Sequence, residues 1–156
     1  RALIEATAFG ARKIIERIEE YGVQIEEVVN CGGITEKNSL LMQIYADVLG
    51  RRMYLADSPQ TCALGAAIAG AVAAGQTDGG EANVTQAQKK MCSFKDTVYA
   101  PDPASSSVYD ELFELYGELH DSFGIAETRF DHAGVMKRLL QIRRRVIGGT
   151  GKNSGN

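Results

Sequence analysis

No stretch of this sequence approaches the roughly 20 consecutive apolar residues that span a bilayer, so no membrane-crossing helix and no membrane partner are expected. Basic charge is not in excess. Lys and Arg number 17 against 20 Asp and Glu, leaving −3 at pH 7, without the basic footprint of general nucleic-acid binding. Cysteine is scarce and scattered, at Cys31, Cys62 and Cys92. An odd count with no C-x-x-C pair suggests neither a disulfide framework nor a zinc site, and a reducing cytoplasm is the simplest reading. The two histidines, His120 and His132, are not spaced to present two metal ligands on one helix face, so a partly exposed structural role is expected for each. No Ser/His/Asp, Cys/His or paired-carboxylate constellation stands out. The amino-terminal residues lack the basic-then-apolar order of a secretory signal. They begin inside an apolar periodic pattern without an initiator Met, which reads as a piece of a longer protein.

What is present is ordinary for a globular chain: 156 residues, 44% hydrophobic and 24% charged. Residues 2–20 place Ile4, Ala8, Ala11, Ile15 and Ile18 on one helical stripe, with Arg12 and Glu16 spaced to pair. Gly22 stops that helix. Residues 25–31 read as a strand that runs into Gly32 and Gly33. A helix over 38–49 follows, with Leu41, Ile44, Tyr45 and Val48 on its stripe, Asn38 as N-cap and Gly50 at its end. Met53, Tyr54 and Leu55 read as a buried strand. Ser58-Pro59 reads as a helix start with Ser58 as cap. The Ala- and Gly-rich run up to Gly75 follows, where Gly65 and Gly70 would each cost about 1 kcal/mol against Ala and so imply close backbone approach to a helix or a ligand.

Further on, 83–92 reads as a short helix, and 94–103 as extended or turning around its prolines. Helices are expected over 105–123, with Val108, Leu112, Leu115 and Leu119 on one face, and over 127–147, closing on Arg143, Arg144 and Arg145. The stretch 148–156 is small and polar and reads as disordered. Strands alternating with helices indicate an α/β layer, and two strands are too few for a stable sheet alone, so the rest of the sheet is expected upstream, outside this piece, or from a neighbour.

The stretch 30–50 is the best functional candidate. Gly32 and Gly33 remove Cβ where the chain leaves a strand, so a flat ligand or a phosphate can come close to the backbone. Free amide N–H groups at the start of the next helix favour an anion. A tight turn with no ligand remains the plainer alternative. The GGTGKNS near the carboxy terminus lacks the spacing and following helix of a phosphate loop and is refused. Gln43 and Asp47, at i and i+4 off the apolar stripe, are expected on a solvated face or in a supporting hydrogen bond. Glu5 is the only carboxylate in the first three turns, a candidate polar anchor toward a further domain.

Three blocks in order, RALIEATAFGARKIIERIEEYG, VVNCGGITEKNSLLMQIYADVLGRRM and SPQTCALGAAIAGAVAAG, resemble the C-terminal domain of the FGGY carbohydrate kinases. The pattern G-G-x-x-x-x-N-x-x-x-x-Q-x-x-A-D at 32–47 carries the likeness. The segments YAPDP and VYDELFELYGELHDSFG are similar to those of the family's L-ribulokinase branch. The resemblance implies the C-terminal, nucleotide-side lobe of an actin-like (ribonuclease H-like) ATPase fold over 1–124, with a helical extension over 125–147. It implies ATP with Mg²⁺ as cofactors and L-ribulose as the sugar, phosphorylated to L-ribulose 5-phosphate. It places Gly32, Gly33, Lys37 and Asn38 beside the adenosine moiety, with Gln43 and Asp47 in structural roles. The catalytic base, sugar pocket and main phosphate segments match nothing here, so this chain is expected to be inactive alone. Self-association is expected if Ile4, Ile15 and Ile18 lie bare. The same lobe of a xylulose, glycerol or gluconate kinase, and a non-catalytic α/β interaction module, are the alternatives.

Overall fold

The computed structural model describes residues 1–125 and 132–150. It divides into two compact units, Arg1–Asp102 and Pro103–Asn156. The first unit opens with helix α1, Ala2–Glu20, which ends at Tyr21 before the positive-φ Gly22. Strand β1 is Glu27–Asn30. The helical region after the glycine turn comes in two pieces, a five-residue α2, Gly33–Lys37, and then α3, Ser39–Leu49. Strand β2, Arg52–Ala56, follows the left-handed Gly50.

Met53 and Leu55 point the same way along β2, as the two-residue period of a strand requires. With Met42, Ala46 and Leu49 of α3 they form the core. Ala11 and Ile15 of α1 and Val28 of β1 pack against it. Ile15 therefore faces inward. The apolar residues that α1 leaves exposed are Leu3, Ile14 and Ile18, which corrects the expected bare face of Ile4, Ile15 and Ile18. Arg12 Nε pairs with Glu16 at 3.1 Å, as its spacing predicts, and Arg12 Nη1 also donates to the Val48 carbonyl, tying α1 to α3. Glu5 pairs with Arg1 on the half-exposed side of the helix.

The sheet has the order β1-β2-β3 among the described residues. Strand β3, Phe94–Tyr99, lies in the segment expected to be extended or turning, and it pairs antiparallel with β2. β1 and β2 are parallel, with Val28 opposite Met53 and Val29 opposite Tyr54. The face turned from the core carries Val29, Tyr54 and Val98 in one row, and Val29 and Val98 are exposed.

Helix α4, Thr61–Ala74, starts later than Ser58 suggested. Ser58 Oγ accepts from the Gln60 amide and makes no helix cap. Apart from the helix's own backbone, a Cβ at Gly65 or Gly70 would meet nothing within 4 Å among the described residues, so the expected close backbone approach is not seen among them. A 3₁₀ turn at Gln76–Asp78 leads to α5, Val84–Met91, capped by Asn83.

The second unit holds α6, Pro103–Gly124, and α7, His132–Thr150. Tyr109, Leu115, Val135 and Ile142 are its buried side chains. Arg138 pairs with Glu118 and Arg145 with Glu111, so the two helices run antiparallel. Residues 127–131 of the expected last helix and 151–156 of the expected tail lie outside the described residues.

Candidate functional site

β1 ends at Asn30, and the chain then turns at Gly32, where φ is 103° and ψ 159°. That conformation is open to glycine and strained for any residue with a Cβ. Thr35 Oγ1 donates to the Gly32 carbonyl at 2.7 Å and holds the turn closed. Gly33 is the first residue of α2 with ordinary helical backbone, and a Cβ there would meet nothing within 4 Å. Neither φ nor packing among the described residues demands glycine at 33. Gly32 and Gly33 are exposed, and so are Ile34, at 71%, and Lys37.

Asn38 joins α2 to α3. Its Oδ1 accepts from the Leu41 amide at 3.0 Å, the N-cap bond its position predicts. The cap uses the acceptor oxygen, so the Nδ2 amide, a donor group, is not the part engaged in it. All four candidate residues, Gly32, Gly33, Lys37 and Asn38, thus lie on one continuous segment between β1 and α3. The split of the helix changes the chemistry expected there. A five-residue α2 aligns few peptide dipoles, and one of α3's free amides is already taken by Asn38. The segment is better suited to a flat, hydrogen-bonding group lying on a Cβ-free backbone than to a multiply charged anion.

Gln43 and Asp47 are not on a solvated face. Asp47 is 7% exposed, the one buried charged residue among those described. Its Oδ1 accepts from Gln43 Nε2 and from the Asp102 amide, both at 2.8 Å. The i,i+4 spacing showed the first contact, and nothing local in the sequence showed the second. Among the described residues no group of three or more His, Cys, Asp or Glu could hold a metal ion. His120 Nδ1 lies 2.9 Å from Asp121, and His132 Nε2 lies 3.3 Å from Ser122 Oγ.

The C-terminal domain of the FGGY family of carbohydrate kinases matches residues 1–74. A ribulokinase of Geobacillus thermodenitrificans is 47% identical over 139 residues, covering 89% of this chain and 24% of that protein. The chain therefore spans about a quarter of the length of the curated relatives it matches. A ligand-bound xylulose kinase from Lactobacillus acidophilus superposes with a TM-score of 0.69 at 21% identity, covering 81% of this chain and 24% of the other. A xylulose kinase from Rhodospirillum rubrum gives a TM-score of 0.57 at 32% identity, covering 80% and 25%. The α/β unit with its small mixed sheet is thus part of the actin-like ATPase fold of these sugar kinases. Through residues 1–74 the chain belongs to the FGGY family of carbohydrate kinases, within that family's C-terminal domain.

Proposed function

We propose that this chain forms the adenosine-side wall of an ATP-dependent pentulose kinase that converts L-ribulose to L-ribulose 5-phosphate in the cytoplasm. The observation that carries the reading is Gly33. It is an exposed glycine that neither backbone strain nor packing among the described residues requires, beside a strained Gly32, on the segment between β1 and α3. A nucleoside ring lying against that backbone gives the missing Cβ a reason. Lys37 and the Asn38 Nδ2 amide stand at the end of α2 as donors toward the purine or ribose. Support for the pentulose comes from the ribulokinase relatives over most of the chain.

ATP brings the transferable phosphoryl group, and Mg²⁺ would travel with its phosphates. Phosphoryl transfer depends on positioning by both walls of a cleft, and no Ser/His/Asp, Cys/His or paired-carboxylate constellation stands out in the sequence. Residues 1–156 alone are therefore inactive in this reading. The test is a nucleotide titration of the full-length parent kinase and of Gly33→Arg, followed by coupled assays with L-ribulose and D-xylulose. Expected are ADP binding that Gly33→Arg abolishes and a preference for L-ribulose. Unchanged ADP affinity in Gly33→Arg sinks the adenosine wall. Turnover of L-ribulose by residues 1–156 sinks the assignment of the chemistry to the rest of the parent.

A further inference from the structure

Asp47 is an unusual thing to bury. A carboxylate out of water is costly unless hydrogen bonds replace its hydration. Here both described bonds converge on Oδ1, one from Gln43 Nε2 on the same helix and one from the backbone amide of Asp102, each 2.8 Å. Gln43 Nε2 has two hydrogens and uses the second on the Ala100 carbonyl, also at 2.8 Å. Two side chains of α3 thus hold both ends of the tripeptide Ala100-Pro101-Asp102. Proline at 101 and 103 leaves the Asp102 N–H as the only backbone amide donor of residues 101–103, and Asp47 takes it. The prolines also restrict the free segment, so less order has to be imposed on it. The first residue of this same helix follows Asn38, the cap at the end of the glycine segment. Glycine segment and tripeptide are therefore fastened to one rigid body, α3, of 11 residues or about 16 Å.

We infer that Gln43 and Asp47 are positioning residues of the nucleotide site, and that nucleotide binding at Gly32–Asn38 and ordering of Ala100–Asp102 are linked through α3. The inference rests on the adenosine-wall reading above. Neither residue needs to touch the nucleotide. A ligand that fixes the first turn of α3 also fixes the helix that holds the tripeptide, and linkage makes the effect reciprocal.

The experiment is hydrogen exchange on the full-length parent kinase with and without ADP, read at 32–38 and at the Asp102 amide. Slowed exchange at both places is the expected result. Protection at 32–38 with none at Asp102 overturns the linkage and leaves the adenosine wall standing. Protection at neither overturns the adenosine wall, and this inference with it. Variants add a second arm. Gln43→Leu, at a half-buried position, is expected to weaken ADP binding about fivefold, on the scale of one lost hydrogen bond, and to abolish ADP protection of Asp102. Asp47→Asn keeps an acceptor oxygen at the same place and is expected to stay within about twofold of the parent. A folded Gln43→Leu enzyme with unaltered ADP affinity and undiminished Asp102 protection overturns the proposal.

Discussion

Glycines in this chain do three different jobs, and substitution separates them. Gly32 is held at φ 103°, so Gly32→Ala is expected to cost about 1–3 kcal/mol of stability in denaturant unfolding. Gly33 has helical backbone and open space around it. Gly33→Ala should be neutral, or stabilising by up to about 1 kcal/mol, while weakening nucleotide binding, a split that a turn-only role does not produce. Gly80 sits in a loop-like QTDGGE run. Its notional Cβ would lie 2.0 Å from the Ala71 carbonyl oxygen and 2.9 Å from the Gly75 nitrogen. There the chain folds back on the end of α4, with the Gly80 amide donating to Gly75 and the Glu81 amide to Ala71. Gly80→Ala is expected to destabilise by about 2–4 kcal/mol, seen as a lower midpoint at unchanged slope. Local sequence shows that a glycine permits a turn. It does not show which backbone passes beside it, and that is what makes position 80 demanding.

At the scale of elements, helices with their own end signals were legible and pairings between distant segments were not. Asn38, Gly22 and Gly50 act within one turn of their helix ends, so their roles follow from spacing. β3 has Lys95, Asp96 and Thr97 between its apolar residues and no clean alternation. It becomes a strand because β2 lies beside it, with an irregular register near Tyr54 and Ala56. In the same way the Gln43–Asp47 spacing was visible while their hold on 100–102 was not. The join of α1 to β2 is a further case. Arg51 Nη2 pairs with Glu19 at 2.6 Å, Arg51 Nε donates to the Ile25 carbonyl, and the Ile25 amide donates to Glu19. The Arg51 hydrogen bond, then the Ile25 amide, holds the Glu19 carboxyl below its usual value of 4.5. A depressed folded-state value means that this contribution is complete above about pH 4.5 and is lost as pH falls through the lowered value. Arg51→Leu should therefore flatten the acid side of the stability–pH curve, measured by urea unfolding between about pH 6 and 3. A curve parallel to the parent's would remove Glu19 as the source.

At the scale of the whole molecule, two groups of exposed apolar residues in the first unit are ones that a free-standing domain would cover. One is the outer side of α1, with Leu3 85%, Ile14 64% and Ile18 39% exposed. The other is the uncovered sheet face, with Val29, Phe94 and Val98. Exposed apolar positions grouped this way mark contact surfaces. α4 adds a further signal, since its Gly65 and Gly70 carry the helix cost of glycine with no neighbour among the described residues to account for it. If another part of the parent kinase packs against α4, the two glycines have contrasting roles in the two contexts. In residues 1–156 alone, Gly65→Ala and Gly70→Ala should each stabilise by about 1 kcal/mol. In the full-length parent the same changes should be neutral or destabilising, because the new methyl group meets the partner surface. The bare α1 and sheet faces should meanwhile make residues 1–156 self-associate, with the weight-average mass in sedimentation velocity rising with concentration. An ideal monomer across that range, together with equal stabilisation by Gly65→Ala in both contexts, would mean that α4 and α1 face solvent in the parent as well.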